Sequence, residues 1–201
     1  LETQDLMIVS EWLQDTWPQI RRTGLMGFCW GANTALLAAW YDGRGHPDPS
    51  IVGTLHDKLR PPDGRRHFEA GVMAFSPVPD WETFIDRLDV AGSIHEDLAA
   101  VLFQSGIRDH MLRRGYPEAV GSLRLCIAYD FAESEFGRSF PLSEGYRFLR
   151  LLPYRGQPEG GKLERARVPV LIVHAINDPL LTQQEIVDLI ARTANPNVAA
   201  L

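Results

Sequence analysis

The chain has 201 residues, 45% hydrophobic and 23% charged, with a net charge of -6. That suits one core of an ordinary soluble globular protein and argues against a nucleic-acid partner, because the only basic clusters are the pairs Arg21-Arg22, Arg65-Arg66 and Arg113-Arg114. No apolar run approaches the ~20 residues that cross a bilayer, and two distant cysteines, Cys29 and Cys126, make neither a disulfide framework nor a zinc site.

In chain order, "TQDLMIVSEWLQDTW" places Leu6, Val9 and Leu13 at helical spacing, and Pro18 follows its end. "TGLMGF" is short, apolar and bounded by glycine, as a buried strand is. "GANTALLAAWYDG" reads as a helix packed on that strand and ending near Gly43. Residues 42–68, rich in Pro, Gly, Asp and Arg, read as an excursion over the surface. "EAGVMAFSPV" is the second buried strand and "VPVLIVHA" the third, followed by a turn and the helix of "INDPLLTQQEIVDLIART". Three apolar strands separated by helical segments predict a parallel sheet with helices on its faces.

Residues 77–167 hold helical patterns and no convincing strand; "LAAVLFQSGIRDHMLRR" and "LSEGYRFLRLL" are the clearest. A crossover normally takes far fewer residues. The expected organisation is therefore a sheet-bearing core over 1–76 and 168–201 with a helical cap insertion over 77–167. The chain opens without a methionine or signal-like stretch and stops at "ANPNVAAL" with no closing element, so both ends are expected to be cut and the localisation, cytoplasmic, is a default. An incomplete parallel sheet would leave an edge able to pair with another chain, so self-association is expected.

The chemistry is concentrated in two places. In "TGLMGFCWGANTALLAAW", Gly27 and Gly31 flank Cys29 at a strand-to-helix junction. Such a sharp turn lifts its apex side chain above the sheet at the positive end of the following helix, which favours a thiolate. The backbone N–H of Trp30 would donate to a developing oxyanion. The alternative is that Cys29 merely fills the core, as free cysteines often do; Cys126, in "LRLCIAYD", has no such setting and reads as packing. The second place is "VPVLIVHAINDPLL", where Asp178 lies in the loop beyond a buried strand. Ligands of open α/β sheets gather at that end, and an acid there can orient a histidine; alone, Asp178 before Pro179 is an ordinary turn aspartate.

Together, "MGFCWGAN" and "VPVLIVHAINDPLL" resemble the nucleophile elbow and the acid-bearing segment of the α/β-hydrolase superfamily. "FAESEFGRSFPLSEGYRFLRLLPY", the run into "LERARVPVLIVHAINDPLL" and the long helical insertion are similar to the YheT-like hydrolases, relatives of the embryogenesis-associated and medium-chain acyl esterase group. The resemblance implies a partial α/β-hydrolase fold, with Cys29 as nucleophile, Asp178 as triad acid, the Trp30 amide as oxyanion donor and Gly27 and Gly31 as elbow glycines.

Two departures stand against that pattern. The subgroup usually has serine at the position of Cys29; a thiol there is found in dienelactone hydrolases and polyhydroxyalkanoate synthases. And none of the six histidines, His46, His56, His67, His95, His110 and His174, follows the acid, where the superfamily's order of nucleophile, acid and histidine requires one. His174 ends the third strand and reads as a packed or hydrogen-bonded residue rather than the base. The expected function is hydrolysis of a small-molecule acyl ester or thioester by a Cys-His-Asp triad whose histidine lies beyond Leu201. Acyl transfer through an acyl-cysteine and a non-catalytic α/β-hydrolase scaffold are the alternatives. No metal or other cofactor is expected. Trp81, Phe84, Leu98, Leu102, Phe103 and Phe148 could present an apolar wall to an acyl chain, or simply pack the core.

Overall fold

The computed structural model describes residues 2–43, 55–58, 64–90, 98, 101, 110–152 and 161–201. They form two compact units, Leu1–Pro79 with Leu149–Leu201, and Asp80–Phe148.

The first unit opens with helix α1 (Glu2–Thr16), which packs on helix α2. The period read from the sequence is right and the phase is not. Thr3, Met7 and Ser10 are buried, while Ile8, Val9 and Trp12 are exposed and Leu6 and Leu13 flank the contact. The contact therefore selects one long apolar side chain with two small hydroxyl residues at i, i+4 and i+7, a face that hydrophobicity does not mark.

Strand β1 (Gly24–Phe28) turns at Cys29 into α2 (Trp30–Gly43). Ala32 and every residue from Ala35 to Tyr41 are buried. A helix apolar around its whole circumference needs cover on all sides, and α2 finds it against β1, β2, α1 and the short turn Lys162–Arg165. Strands β2 (Gly71–Phe75), β3 (Val170–Val173) and β4 (Val198–Ala200) complete a four-stranded sheet in the order β1-β2-β3-β4, with every pair parallel. The α/β class expected from the sequence is borne out. β4 is a correction. The terminal stretch expected to carry no closing element is a strand, with Val170 opposite Val198 and Ile172 opposite Ala200. Its alanines have little strand preference of their own, and the pairing with β3 decides.

Gly27, Val72, Ala74, Val170 and Ile172 form the buried face of the sheet, on the side of α2. On the other face Met26 and Phe28 are each 63% exposed, and Phe28 stacks on Phe75 with centroids 4.5 Å apart. The cover expected on both faces of a parallel sheet is thus present on one among the described residues.

The described residues of the second unit form helices and turns and no strand. Asp80 caps α3 (Trp81–Asp89) and Ser122 caps α4 (Leu123–Glu133); α5 spans Leu142–Leu149. The Asp89 carboxylate accepts from the Leu123 and Arg124 amides at 2.7 and 3.0 Å, placing negative charge at the positive end of α4. Cys126 is buried beside Met111, with Tyr116 and Tyr129 stacked over that pair. Of the expected apolar wall, Trp81, Phe84 and Phe148 are buried and Leu98 is exposed; Leu102 and Phe103 lie outside the described residues. So do most of the predicted helix over 98–114, of which Leu98, Val101 and 110–114 are helical, and most of the polar excursion over 42–68.

The helical unit is shorter than the 77–167 read from the sequence. Residues 161–167 are held in the sheet-bearing unit by Asn195, whose amide donates to the Leu163 and Ala166 carbonyls at 2.7 and 2.8 Å. Leu151, whose amide donates to the Pro79 carbonyl at 3.0 Å, is fully buried there as well. No helix among the described residues is long and apolar enough to cross a membrane.

The tightest contact of the first unit is at Gly27, where an added Cβ would lie 2.1 Å from the Gly31 carbonyl oxygen. Gly27→Ala must therefore push α2 off β1, and a loss of about 3 kcal/mol is expected in urea unfolding, the upper range for overpacking a core. An unchanged midpoint would refute the close crossing.

Candidate active site

The site follows from strand register. Phe28, Phe75 and Val173 stand side by side at the carboxyl ends of β1, β2 and β3. The residues after them are Cys29, Ser76 and His174, and the ladder runs on through all three. Cys29 N donates to Phe75 O at 3.0 Å, Ser76 N to Val173 O at 2.9 Å and His174 N to Leu201 O at 3.0 Å. Neighbouring strands lie about 4.8 Å apart, so a thiol, a hydroxyl and an imidazole occupy adjacent positions along one edge of the sheet.

Cys29 and Ser76 are the two non-glycine residues with positive φ among the described residues, at 52° and 48°. Left-handed backbone is costly for residues with a Cβ and persists where the surroundings enforce it. At Cys29 the enforcement is visible. Gly27 lets the first turn of α2 cross the strand closely, and the Cys29 carbonyl accepts from Ala32 N at 3.0 Å and Asn33 N at 3.3 Å. The chain thus reverses within one residue and leaves the Cys29 side chain exposed. Of the two glycines that flank it, Gly27 is sterically required; a Cβ at Gly31 would meet no described atom within 4 Å. Trp30 is the first residue of α2, in the turn whose amides the helix's own ladder leaves over. Its indole N–H donates to Glu2 Oε2 at 2.7 Å, which also accepts from Thr34 Oγ1 at 2.9 Å, so one carboxylate ties the start of α1 to the start of α2.

Asp178 lies in the loop after β3. Its Oδ1 accepts from the Leu180 and Leu181 amides at 2.9 and 3.1 Å, an Asx-type turn, and its Oδ2 accepts from Ser76 Oγ at 2.8 Å. Burial acts to raise the carboxyl pKa, but the Leu180 amide, the Ser76 hydroxyl, the Leu181 amide and the charge of a protonated His174 outweigh it, and the net displacement is downward. Asp178 is a preorganised carboxylate.

His174 is nearby but not joined to it. Its Nδ1 is 3.9 Å from Asp178 Oδ2, beyond hydrogen-bond range, and neither ring nitrogen has a hydrogen-bond partner among the described residues. With its side chain 4% exposed it is a packed strand-end residue. His67 is buried, His110 pairs with Asp130 at 3.2 Å, and His46 and His95 lie outside the described residues.

Two residues that sequence reasoning passed over belong to the site. Ser76 joins the loop after β2 to Asp178. Asn33, 1% exposed in the first turns of α2, clamps that same loop: its Nδ2 donates to Val78 O at 2.7 Å and its Oδ1 accepts from Val78 N at 2.8 Å. The available signals were a polar Asn inside "GANTALLAAW" and a Ser-Pro step closing an apolar strand. Among the described residues no cluster of three or more His, Cys, Asp or Glu could hold a metal.

No protein-family profile and no curated protein matches the chain. Among solved structures it is similar to an esterase of Pyrococcus furiosus in two crystal forms, at 17% and 16% identity, each with a TM-score of 0.45 over 98% of this chain. An inhibitor-bound epoxide hydrolase of Bacillus megaterium aligns at 12% identity with a TM-score of 0.38, again over 98% of this chain and over 66% of its own. The chain spans about half the length of the esterase, 50% and 49% in the two forms.

The two thiols differ enough to be told apart chemically. Burial, with Asp130 and Asp89 adding to it, pushes the Cys126 thiol up, whereas Cys29 is exposed. Iodoacetamide should therefore alkylate Cys29 at least about tenfold faster in the folded protein, read by peptide mapping; equal rates would contradict the assigned environments. For Asp178, a carboxyl depressed on folding contributes stability above its unfolded value that disappears as pH falls through the folded one. The stability gap between the wild type and Asp178→Asn should thus narrow in acid unfolding below the ordinary aspartate range. A gap independent of pH would show that Asp178 carries no such coupling.

Proposed function

We propose that the protein containing this chain is a hydrolase of the α/β-hydrolase type that acts on carboxylic esters or thioesters through an acyl-cysteine. The observation that carries this reading is the backbone at Cys29: an exposed thiol with φ of 52° at a strand-to-helix junction, held there by the close crossing at Gly27. A cysteine serving only as packing has no need of a strained apex, and Cys126, on a helix and buried, shows the contrast.

In the proposed reaction the Cys29 sulfur attacks the acyl carbon and its proton passes to an imidazole. The Trp30 amide donates to the carbonyl oxygen as negative charge develops on it. Collapse of the tetrahedral species breaks the bond to the alcohol or thiol, which leaves with the proton from the imidazolium. A water then attacks the thioester, giving up its proton to the same imidazole, and the acid departs as the thiol is restored. Asp178 orients the imidazole and stabilises its charged form, for which an ionised carboxylate with a lone pair to spare is suited. By the sequence resemblance this histidine follows one more strand after Leu201.

The test is turnover of p-nitrophenyl acyl esters by the full-length protein, with intact mass spectrometry of quenched reactions. Cys29→Ala should lower turnover by about 10³-fold or more and abolish the acyl adduct, and Asp178→Asn should cost at least about 10²-fold. An adduct that persists in Cys29→Ala, or turnover unchanged by it, would remove Cys29 from the chemistry.

A further inference from the structure

We infer that Ser76 is the positioning residue of the acid: its hydroxyl holds the Asp178 carboxylate in the one orientation that keeps an oxygen available to the imidazole. The inference rests on the reading of Asp178 as the triad acid.

The carboxylate's partners show what is left for an imidazole. A carboxylate offers about four acceptor positions over two oxygens. Two backbone amides, Leu180 and Leu181, fill Oδ1, and Ser76 Oγ takes one position on Oδ2 at 2.8 Å. One position on Oδ2 remains, and the Nδ1 of His174, with no hydrogen-bond partner among the described residues, stands 3.9 Å from that oxygen. Without the Ser76 hydroxyl, a small rotation of the carboxylate would bring Oδ2 to His174, and the orienting acid would be lost to a buried side chain. Ser76 prevents this by holding Oδ2 from the side of β2.

The serine is itself held in place. Its φ of 48° takes it out of the strand's alternation. Its amide is fixed to Val173 O at 2.9 Å, and two residues on, Val78 is clamped through both backbone groups by the buried Asn33. Helix α2, which follows the nucleophile, therefore sets the position of the loop that sets the acid. Cys29 and Asp178, 149 residues apart in sequence, are coupled through Asn33, Val78 and Ser76.

The test compares Ser76→Gly and Ser76→Ala with the wild type in the full-length protein. Glycine is the more informative variant, because a left-handed backbone suits it and the fold is not lost with the hydroxyl. The titration of the Asp178 carboxyl, followed by carbon-detected NMR, should move to higher pH in both variants as one charge-assisted donor is removed. Turnover of a p-nitrophenyl acyl ester should fall by about tenfold in kcat with KM unchanged, and the acid limb of its pH profile should move with the Asp178 titration. An unmoved titration, or a moved one with kcat unaffected, overturns the inference. If the wild type turns over no ester, the hydrolase reading fails, and the positioning role with it; the titration would still report independently whether Ser76 donates to Asp178.

Discussion

The close approach of α2 to β1 at Gly27 governs the arrangement of the first unit. With no Cβ there, the carbonyl of Gly31 can settle over the strand, and the chain must then reverse within the single residue between Phe28 and Trp30. The positive φ of Cys29 is the geometric consequence. Burial of α2 on all sides supplies the compensating energy: eight apolar side chains from Ala32 to Tyr41 leave water almost completely, and a strained residue costs on the order of 1–3 kcal/mol. A helix anchored less completely would relax its first turn, and the thiol would fall back toward the sheet.

The same helix carries the constraint across the molecule. Asn33 satisfies both backbone groups of Val78 in a place water does not reach, where an unpaired polar group costs about 1–3 kcal/mol. The loop after β2 is therefore not free to choose its path, and Ser76 meets Asp178 because of it. The Asx-type turn at Leu180 and Leu181 completes the arrangement from the other side. The geometry of the acid is set by three elements at once, which is the condition for a group to act without reorganising.

The strands and α2 were legible because each is an apolar run whose ends are marked by glycine or by a polar turn, so pattern and burial coincide. The placement of Cys29 and Asp178 beyond strand ends was legible for a related reason: both follow the point where such a run stops. The misreadings share a cause, namely that a tertiary partner decided. α1 turned its hydroxyl-bearing face inward because α2 needed a close neighbour, not an apolar one. Val198–Ala200 became a strand because β3 had an edge to offer. The boundary of the helical unit moved because Asn195 holds residues 161–167 from a distance of some thirty positions in sequence. Ser76 and Asn33 carry only faint local signs, a Ser-Pro step and a polar residue in an apolar helix, since their meaning lies in what they touch.

The charge balance at the carboxyl ends of the strands bears on which imidazole can carry a proton. Asp178 is held ionised chiefly by two amides and a hydroxyl, with the charge of a protonated His174 at 3.9 Å as the smallest contribution. Such a carboxylate stabilises an imidazolium that arrives with one face in solvent. His174 does not meet that condition. Its side chain is 4% exposed, no acceptor reaches either nitrogen, and Asp178 is too far for a hydrogen bond. The ring is better suited to packing at the end of β3 than to moving protons.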